Sequence, residues 1–433
     1  MFLKKNNLLS VLQKLFYFFP ISFIFGSLIL NLYLTFFLLL SSIYLLIEKI
    51  KIKFNLANIS LLLFFLTIII TSFFNIEIIG WPNFIKSIFL LRFFLLFILI
   101  ETLILNKKIE VENFFSVCFF TTLLLSMDLI LQFFYGKNIL GFEPWEGRIT
   151  GIFEDEAIAG AYIQKMFIFL LIFFFLITNN LNKKYLPIFL FSLVIIIFGC
   201  FIANNRISFL ILILTLIFII FFYKTLRKKL LICFLVFLPI FIYFFYNNSQ
   251  INQRYSNFKN IIIVSFNLSY KKQIEHSVGA NKNIATARFP EHLKIYLTSI
   301  ESFKENKLLG NGLKSFRFKC KKFLEQKNFL CSTHPHNFHL EILHDGGLVG
   351  LFFILIFAVT LIINVKKLIF SKNKFNKEKI IVSLILINFL IEIFPLKSTG
   401  SIFTTWNGTI LWLSIALVNC KNYLLYYDKK KLF

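Results

Sequence analysis

Long apolar segments recur along most of this 433-residue chain, and they limit its fold more than any other feature. A run of about 20 apolar residues is long enough for a helix to cross the hydrocarbon core of a bilayer. The hydrophobic content of 58% is also far above that of a soluble domain of this length. The sequence therefore predicts an all-α polytopic membrane protein.

The apolar segments predict about twelve transmembrane helices. In chain order, the predicted spans cover roughly residues 11–27, 29–47, 55–74, 83–105, 113–135, 157–178, 186–203, 206–222, 229–246, 347–365, 379–395 and 403–420. This divides the chain into helices one to nine (1–246), one long polar loop (247–346), and helices ten to twelve with a tail (347–433). No short apolar segment with a small-residue cleavage site stands at the N-terminus, so no removable signal peptide is expected.

The positive charge of the chain indicates its orientation in the membrane. The formal net charge of +25 comes mostly from short Lys clusters between the apolar segments, on alternate sides of the predicted spans. Short loops rich in Lys and Arg face the cytoplasm. Both termini are therefore predicted to be cytoplasmic and the 247–346 loop extracytoplasmic, and no nucleic-acid partner is expected. Helical spacing of Leu293, Tyr296, Leu297 and Ile300 predicts that this loop forms a helical cap.

Four of the six His residues stand in one segment, "CSTHPHNFHLEILHDGGLVG", residues 331–350. Pro335 suits the first turn of a helix, and the pair Gly346 and Gly347 predicts the end of that helix, just before span ten. His336 would then lie at the outer membrane surface. The positive end of a helix disfavours a protonated imidazole, so His336 should stay neutral near pH 7 and could act as a general base.

Two other interpretations of the His-rich segment stay open. A single His at a helix start is often only a capping or surface residue. Cys331, His334 and His336 are also close enough in sequence to share a zinc ion, although their spacing matches no common zinc framework.

Arg residues are few and unevenly placed. The chain has 46 Lys and Arg in total, and the predicted cytoplasmic loops contain only Arg227 among the seven Arg. Those on the predicted outer side are Arg148, Arg206, Arg254, Arg288 and Arg317. The planar Arg side chain binds phosphate oxygens in pairs, so this distribution favours a phosphate ligand, with anchoring to lipid headgroups as the alternative. Arg92 lies within span four, where a cation needs a partner that the sequence does not reveal.

The segment "RITGIFEDEAIAGAY", residues 148–162, adds three carboxylates at the entry to span six. Glu154, Asp155 and Glu156 could bind a divalent metal or orient an acceptor sugar, but acidic residues also favour the start of a helix. No nucleotide-binding or serine-nucleophile motif occurs in the chain.

Four segments in the same order resemble the O-antigen ligase and polymerase superfamily of bacterial inner-membrane glycosyltransferases. They are "RITGIFEDEAIAGAY", "ANNRISFL", "NKLLGNGLKSFR" and "STHPHNFHLEILHDGGLVGLFFIL", and the resemblance spans roughly residues 140–365. It implies a GT-C-type fold and transfer of a glycan from undecaprenyl diphosphate to an acceptor hydroxyl, without a metal or other cofactor. It also implies a site on the periplasmic side of the inner membrane.

The resemblance also implies roles for individual residues. His336 would be the catalytic base, His334 would orient it or bind the acceptor, and Arg206 with Arg148 or Arg288 would bind the diphosphate. The family often has an Arg shortly before the "KLLGNG" element, where this chain offers either Arg288 or His292. Attack on the face opposite the leaving diphosphate would invert the anomeric centre.

Three functions are compatible with these observations. The first is a ligase that transfers finished O-antigen to lipid A-core, and the second is a polymerase that joins lipid-linked repeat units with the same chemistry. The third is a transporter or flippase, which the many spans and Arg92 favour. The spans show no division into repeats and no matching pair of broken helices, and both features are typical of transporters.

Cys320 and Cys331 are the only Cys residues in the predicted outer loop. An isolated pair in an oxidising periplasm is expected to form a disulfide. Closing a loop of this length should contribute about 3 kcal/mol against the unfolded loop. The bridge would hold the approach to His334 and His336.

Overall fold

The computed structural model describes residues 5–180, 186–267, 291–325, 328–369, 376–395 and 397–419. These residues are mainly helical, and among them the single piece of β structure is an isolated bridge between Trp145 and Arg148. The prediction of an all-α fold is confirmed.

The helices follow one another with short connections. In chain order they are α1 (Lys5–Tyr17), α2 (Phe19–Ser22), α3 (Gly26–Ile47), α4 (Leu56–Phe74), α5 (Ile76–Phe89), α6 (Leu91–Leu105), α7 (Val111–Tyr135), α8 (Ala159–Asn180), α9 (Leu186–Ile202), α10 (Arg206–Phe222), α11 (Lys224–Asn247), α12 (Ser249–Asn267), α13 (Glu291–Phe303), α14 (Phe316–Lys319), α15 (Phe338–Ile369), α16 (Asn376–Glu392) and α17 (Thr405–Asn419). Short 3-10 turns cover Gly151–Phe153, Lys304–Asn306 and Cys320–Phe323.

Many of these helices are suited to a membrane. Within the described residues, seven helical stretches are long and apolar enough to cross a bilayer. Three shorter apolar helices accompany them, Leu186–Ile202, Arg206–Phe222 and Thr405–Val418. The chain is therefore a multi-pass membrane protein, while the count of twelve spans and the GT-C-type assignment stay predictions.

The first predicted span, residues 11–27, is wrong as a single continuous helix. The chain breaks after α1, forms the short α2 around Pro20, and enters α3 at Gly26 with a φ of +82°. Proline lacks the N–H that would continue the helical hydrogen bonding of α1, and a left-handed φ suits glycine. Helix α1 buries Leu8, Leu12 and Phe16 on one face and exposes Lys14, so it is amphipathic rather than apolar all round.

Two loops that were predicted to be cytoplasmic lie close together and beside α1. Lys108 forms an ion pair with Glu48 at 3.6 Å, and the Gln13 side chain donates a hydrogen bond to the Lys108 carbonyl at 2.8 Å. The loops after α3 and α6 thus meet α1 at one end of the molecule.

Packing between helices distant in sequence forms the core. Helix α4 packs along α15, α7 packs on α8 and α9, and α17 packs on α6 and α16. Fully buried aromatic side chains fill these contacts, among them Phe64, Phe65, Phe97, Phe114 and Phe115. Aromatic side chains bury large areas and hold neighbouring helices at defined distances. The ends of α8, α10, α16 and α17 are thereby held beside the start of α15.

The helix predicted within the 247–346 loop is present, but its buried face differs from the prediction. Helix α13 covers the predicted residues, yet Ile300 is exposed, and the buried positions are Ile295, Thr298, Ser299 and Ser302. The Thr298 hydroxyl donates to the Leu330 carbonyl at 3.0 Å, and the Ser302 hydroxyl lies 3.0 Å from Nε2 of His344. Small hydroxyl side chains face inwards because they lie against the loop backbone at Leu330 and the buried imidazole of His344 on α15.

Candidate active site

One cavity of about 680 Å³ has most of the predicted functional residues that the structure describes on its walls. Arg148, Arg206 and His336 line it, although 188 residues separate the first from the last. His292 also lines it, whereas the alternative residue, Arg288, lies outside the described residues. The cavity therefore brings guanidinium and imidazole groups into one space.

Arg206 is held at the cavity by the turn before α10. Asn204 takes a left-handed φ of +57°, and the Asn205 side chain caps the helix by accepting from the Ser208 N–H at 3.4 Å. Arg206 is then the first residue of α10, and its Nη1 donates to the Arg254 carbonyl at 3.4 Å. A helix N-terminus adds partial positive charge to that of the guanidinium.

Arg148 approaches the same place from the loop before α8. Two backbone hydrogen bonds with Trp145, 3.1 and 2.8 Å long, close a tight turn that presents the Arg148 side chain. Arg148, Arg206 and Arg254 all line a side cavity of about 120 Å³, whose described lining includes no carboxylate. Burial, followed by repulsion from Arg148 and Arg206, lowers the pKa of Arg254. Such a concentration of positive charge favours a polyanionic ligand.

The backbone around His336 differs from the prediction. Helix α15 begins at Phe338 and not at Pro335, because the Asn337 side chain accepts hydrogen bonds from the N–H groups of His339 (3.0 Å) and Leu340 (3.1 Å). His336 lies before this cap, with a φ of +56°. A residue without a β-branch pays roughly 1–2 kcal/mol for that conformation, and such strain is common at functional sites.

The His336 imidazole lies in a group of three imidazoles. Its ring centroid is 4.0 Å from that of His334 and 5.1 Å from that of His292, and its Nε2 lies 3.0 Å from the Ser332 hydroxyl. Burial, with further contributions from His334 and His292, lowers the pKa of His336 to about 4. The imidazole is thus neutral at pH 7, as predicted, but the cause is burial and the two neighbouring imidazoles, and not a position in the first turn of the helix.

His334 lies behind His336 and outside the cavity wall. Its Nε2 donates to the Thr399 carbonyl at 3.3 Å, and its Nδ1 lies 3.0 Å from the Thr333 hydroxyl. The Thr399 N–H in turn donates to the His336 carbonyl at 2.9 Å. His334 therefore joins the His336 segment to the loop before α17.

Three further polar side chains of this segment bind the same loop. The Asn337 amide donates to the Pro395 carbonyl at 2.5 Å, and His339 donates to the Ile393 carbonyl at 2.6 Å. The Glu341 carboxylate accepts from the Ile402 N–H at 2.8 Å. Much of the His-rich segment thus holds the loop that contributes Lys397, Ser398 and Thr399 to the cavity wall.

His344 has a structural position. It is fully buried, with Nδ1 2.8 Å from the Asp345 carboxylate and Nε2 against Ser302. The backbone N–H groups of Asn311 and Gly312 donate to the carbonyls of His344 (2.9 Å) and Asp345 (3.0 Å). These contacts attach the "KLLGNG" element to the start of α15.

The predicted helix end at the glycine pair is a break at Gly347, where φ is +64° and ψ is −165°, after which α15 continues into the membrane. A Cβ on Gly347 would lie 2.3 Å from the Leu308 carbonyl oxygen, and one on Gly310 would lie 2.4 Å from the Gly347 nitrogen. Both elements need glycine because their backbones touch.

Cys320 and Cys331 form a disulfide, with their Cα atoms 5.1 Å apart. Ile295, Phe316 and Leu330 pack around it in a small apolar cluster within the cap. In this state Cys331 has no thiolate to offer a zinc ion, and the described residues contain no group of three or more His, Cys, Asp or Glu that could hold a metal. Arg317 is not among the residues that line the cavity, and its Nη2 donates to the Thr333 carbonyl at 3.4 Å.

Arg92 has a partner that the sequence did not reveal. Its Nη2 donates to the Thr405 hydroxyl at 2.9 Å, and that hydroxyl donates to the Asn31 side chain at 2.8 Å. Helices α3, α6 and α17 are joined there.

Of the three carboxylates in residues 154–156, Glu156 lines the main cavity, and all three precede the start of α8 at Ala159.

Sequence reasoning missed a second charged group at the cavity. Lys165 from α8 and Lys397 from the loop after α16 both bind the carboxylate of Glu392, Lys397 at 3.1 Å. Gln164 donates to the same carboxylate at 3.2 Å. In the sequence, Lys165, Glu392 and Lys397 are only charged residues at the edges of apolar segments, and no sequence pattern indicates that they form ion pairs with one another.

The comparison with known families agrees with these observations. None of the curated proteins matches the chain. The family model described as O-antigen ligase matches residues 191–355, from α9 to beyond the break in α15. This segment contains Arg206, His334 and His336, whereas Arg148, Lys165 and Lys397 lie outside it. The match confirms the resemblance of this membrane protein to the O-antigen ligase and polymerase superfamily, whose members are membrane glycosyltransferase-like enzymes.

Proposed function

We propose that this protein is an O-antigen ligase-like glycosyltransferase. It would transfer a glycan from undecaprenyl diphosphate to a hydroxyl of lipid A-core, at the periplasmic face of the bacterial inner membrane. The observation that carries the proposal is the cavity in which the neutral imidazole of His336 faces the same space as Arg148 and Arg206. Glycosyl transfer from a lipid diphosphate needs a base and fixed positive charge together.

The arginines account for the diphosphate. Arg148 and Arg206 line both the main cavity and the side cavity, where Arg254 adds a third positive charge. A guanidinium binds two phosphate oxygens at once, and a diphosphate would relieve the repulsion among the three side chains. Because these cations can stabilise the leaving group, the reaction is proposed to proceed without a metal ion.

An apolar groove accounts for the lipid chain. It has a volume of about 360 Å³ and lies between α10 and α16, with Ile211, Leu214 and Phe218 on one side and Ile387, Leu390 and Phe394 on the other. Ile211 follows Arg206 by five residues, or about 7.5 Å along the helix axis. A diphosphate bound at Arg206 would therefore have its polyprenyl chain beside this groove.

The proposed reaction is a single displacement. The acceptor hydroxyl loses its proton to the unprotonated nitrogen of His336 while its oxygen bonds to the anomeric carbon. The bond from that carbon to the diphosphate oxygen breaks, and the negative charge passes to the diphosphate beside the arginines. Attack from the face opposite the leaving group inverts the anomeric centre. His334 takes no proton and positions His336 through Thr399.

Deletion of the gene in its host tests the proposal. Gel analysis of lipopolysaccharide and of lipid-linked glycan should show long glycan stranded on undecaprenyl diphosphate. A single repeat unit on core would instead identify a polymerase, which joins lipid-linked units with the same chemistry. Unchanged profiles of both materials would contradict either enzyme and favour a transporter or flippase.

A further inference from the structure

The positive charge of the cavity is divided between its arginines and a pair of lysines. Four cations line it, Arg148, Lys165, Arg206 and Lys397, and the two carboxylates at this site are Glu156 in the lining and Glu392 behind it. A surplus of two positive charges remains. Charges held out of bulk water are costly unless a counter-charge compensates them, so the ligand is expected to be anionic at more than one point.

The two lysines form a group separate from the arginines. Lys165 and Lys397 are 5% and 8% exposed, and both share the carboxylate of Glu392, which is 2% exposed. The ion pairs attach α8 to the end of α16 and to the loop that follows it. One carboxylate for two ammonium groups leaves one net positive charge at this end of the cavity.

The Lys397 ammonium has room for a further partner. It lies 3.1 Å from Glu392 Oε1 and 3.4 Å from Gln164 Oε1. An ammonium has three N–H donors, so within the described residues these contacts leave one donor for a ligand. Burial lowers the pKa of Lys397 to about 8, with Glu392 opposing the shift and Lys165 adding to it. A second anion in contact with Lys397 would therefore be stabilising.

Trp406 gives this end of the cavity an apolar surface. The indole lines the cavity, its N–H donates to the Phe23 carbonyl at 3.2 Å, and the Lys165 ammonium lies 5.8 Å from the ring centroid. With its polar atom occupied, the ring can offer its face to a ligand. Ligand pockets commonly pair such a surface with a few fixed polar groups.

We propose that Lys165, Lys397 and Trp406 form a subsite for an acidic sugar of the glycan, a pyranose bearing a carboxylate. The carboxylate would match the single unbalanced positive charge of the lysine pair, and the sugar ring would pack on the indole. A diphosphate fits the arginine group better, because three guanidinium groups lie together there. The inference rests on the proposed function, since it assumes a lipid-linked glycan as the ligand.

The test measures binding of three probes to the full-length protein in lipid nanodiscs. The probes are undecaprenyl diphosphate without sugar, the same lipid carrying a disaccharide of glucose, and the lipid carrying this disaccharide with one glucose replaced by glucuronic acid. The third probe is made in two forms, with glucuronic acid at the first or at the second sugar. The wild-type protein should bind one glucuronic acid probe at least tenfold more tightly than the glucose probe, or about 1.4 kcal/mol. Lys397→Met should reduce this preference to less than twofold without changing binding of the sugar-free lipid.

Two further variants make the result specific. Lys319→Met is the matched control, because Lys319 is also a buried lysine with an ion pair, at 3.3 Å to Glu305, but lies outside the cavity lining. It should keep the wild-type preference. Glu392→Gln retains both ammonium groups and removes the competing carboxylate, so it should keep or increase the preference. In Lys397→Met, Glu392 still has Lys165 as a partner, and folding is checked by the retained binding of the sugar-free lipid.

The outcomes separate this inference from the proposed function. Tight binding of the sugar-free lipid by the wild type, lost in Arg206→Gln, with no preference for glucuronic acid would overturn the acidic-sugar subsite alone. Equal loss of sugar-free lipid binding in Lys397→Met and Arg206→Gln would assign the lysines to the diphosphate site and would also overturn it. No binding of the sugar-free lipid to the wild type would overturn both proposals.

Discussion

Replacement of His336 by Asn should lower the activity of the protein steeply while leaving its stability nearly unchanged. His336 has a left-handed φ of +56°, which costs roughly 1–2 kcal/mol for most residues and less for Asn. The imidazole is only partly buried, and its side-chain hydrogen bond is with the Ser332 hydroxyl at 3.0 Å. The gain in backbone energy and the loss of ring contacts with His334 should nearly cancel, so the thermal unfolding midpoint should change little.

Activity should fall steeply in the same variant. An amide cannot take a proton, and the loss of a general base costs roughly 10²- to 10⁴-fold in rate. This corresponds to about 2.7–5.4 kcal/mol of transition-state stabilisation. The kcat should fall by this factor, while binding of undecaprenyl diphosphate at the arginines should persist.

The assay uses purified protein in nanodiscs with lipid-linked glycan and lipid A-core, and it follows product on gels. His339→Gln is the matched control, because its amide can still donate to the Ile393 carbonyl and the residue lies outside the cavity lining. It should retain wild-type turnover. A stable His336→Asn protein with turnover within threefold of wild type would refute the role of His336 as base.

The remaining predictions test other parts of the site. With a pKa of about 4, His336 is neutral above that pH, so kcat/KM should be flat from about pH 8 to about pH 5 and fall only below it. The acid limb of kcat should lie at higher pH, because a bound diphosphate stabilises the imidazolium. A limb of kcat/KM near pH 6.5 would contradict the lowered pKa. Arg206→Gln should lower kcat roughly 10²- to 10³-fold, and Arg206→Lys should be intermediate because Lys lacks the planar pair of donors. Added chelator should leave the turnover of the wild-type protein unchanged. A non-reducing digest should show the disulfide peptide, and Cys331→Ser should lower activity more than membrane abundance, whereas free, alkylatable thiols in protein prepared without reductant would contradict the bridge. Gly347→Ala should lose about 2 kcal/mol or more of unfolding free energy because of its φ and its contact with backbone, while Gly350→Ala, with only ordinary contacts at 3.8 Å, should change the unfolding midpoint little.

Much of the architecture could be predicted from the sequence because it depends on residues near one another in the chain. Apolar runs identified most of the helices, and the glycine pair marked the break in α15 at Gly347. The use of Arg on one predicted side pointed to Arg148 and Arg206, which line one cavity. Each of these patterns reflects a local requirement, such as helix length, a left-handed φ or a planar pair of donors.

The local details around His336 depended on competition that spacing does not reveal. Pro335 is compatible with a helix start, but the Asn337 side chain caps the helix by accepting the N–H groups of His339 and Leu340. Likewise, the apolar spacing in α13 predicted the helix but not its buried face, because loop backbone and His344 lie against Thr298 and Ser302. In both places, hydrogen bonds of polar side chains determined the local structure, and the spacing of residues in the sequence did not predict them.

Only the tertiary structure decided which residues share the cavity. Lys165 and Glu392 are separated by 227 residues, and Lys397 reaches the same carboxylate from the loop that follows. The sequence determines which side chains lie on one face of a helix, since that follows from 3.6 residues per turn. Which faces meet depends instead on the packing of all the helices together, and here the contacts of α8 with α16 turned isolated charges into one buried group.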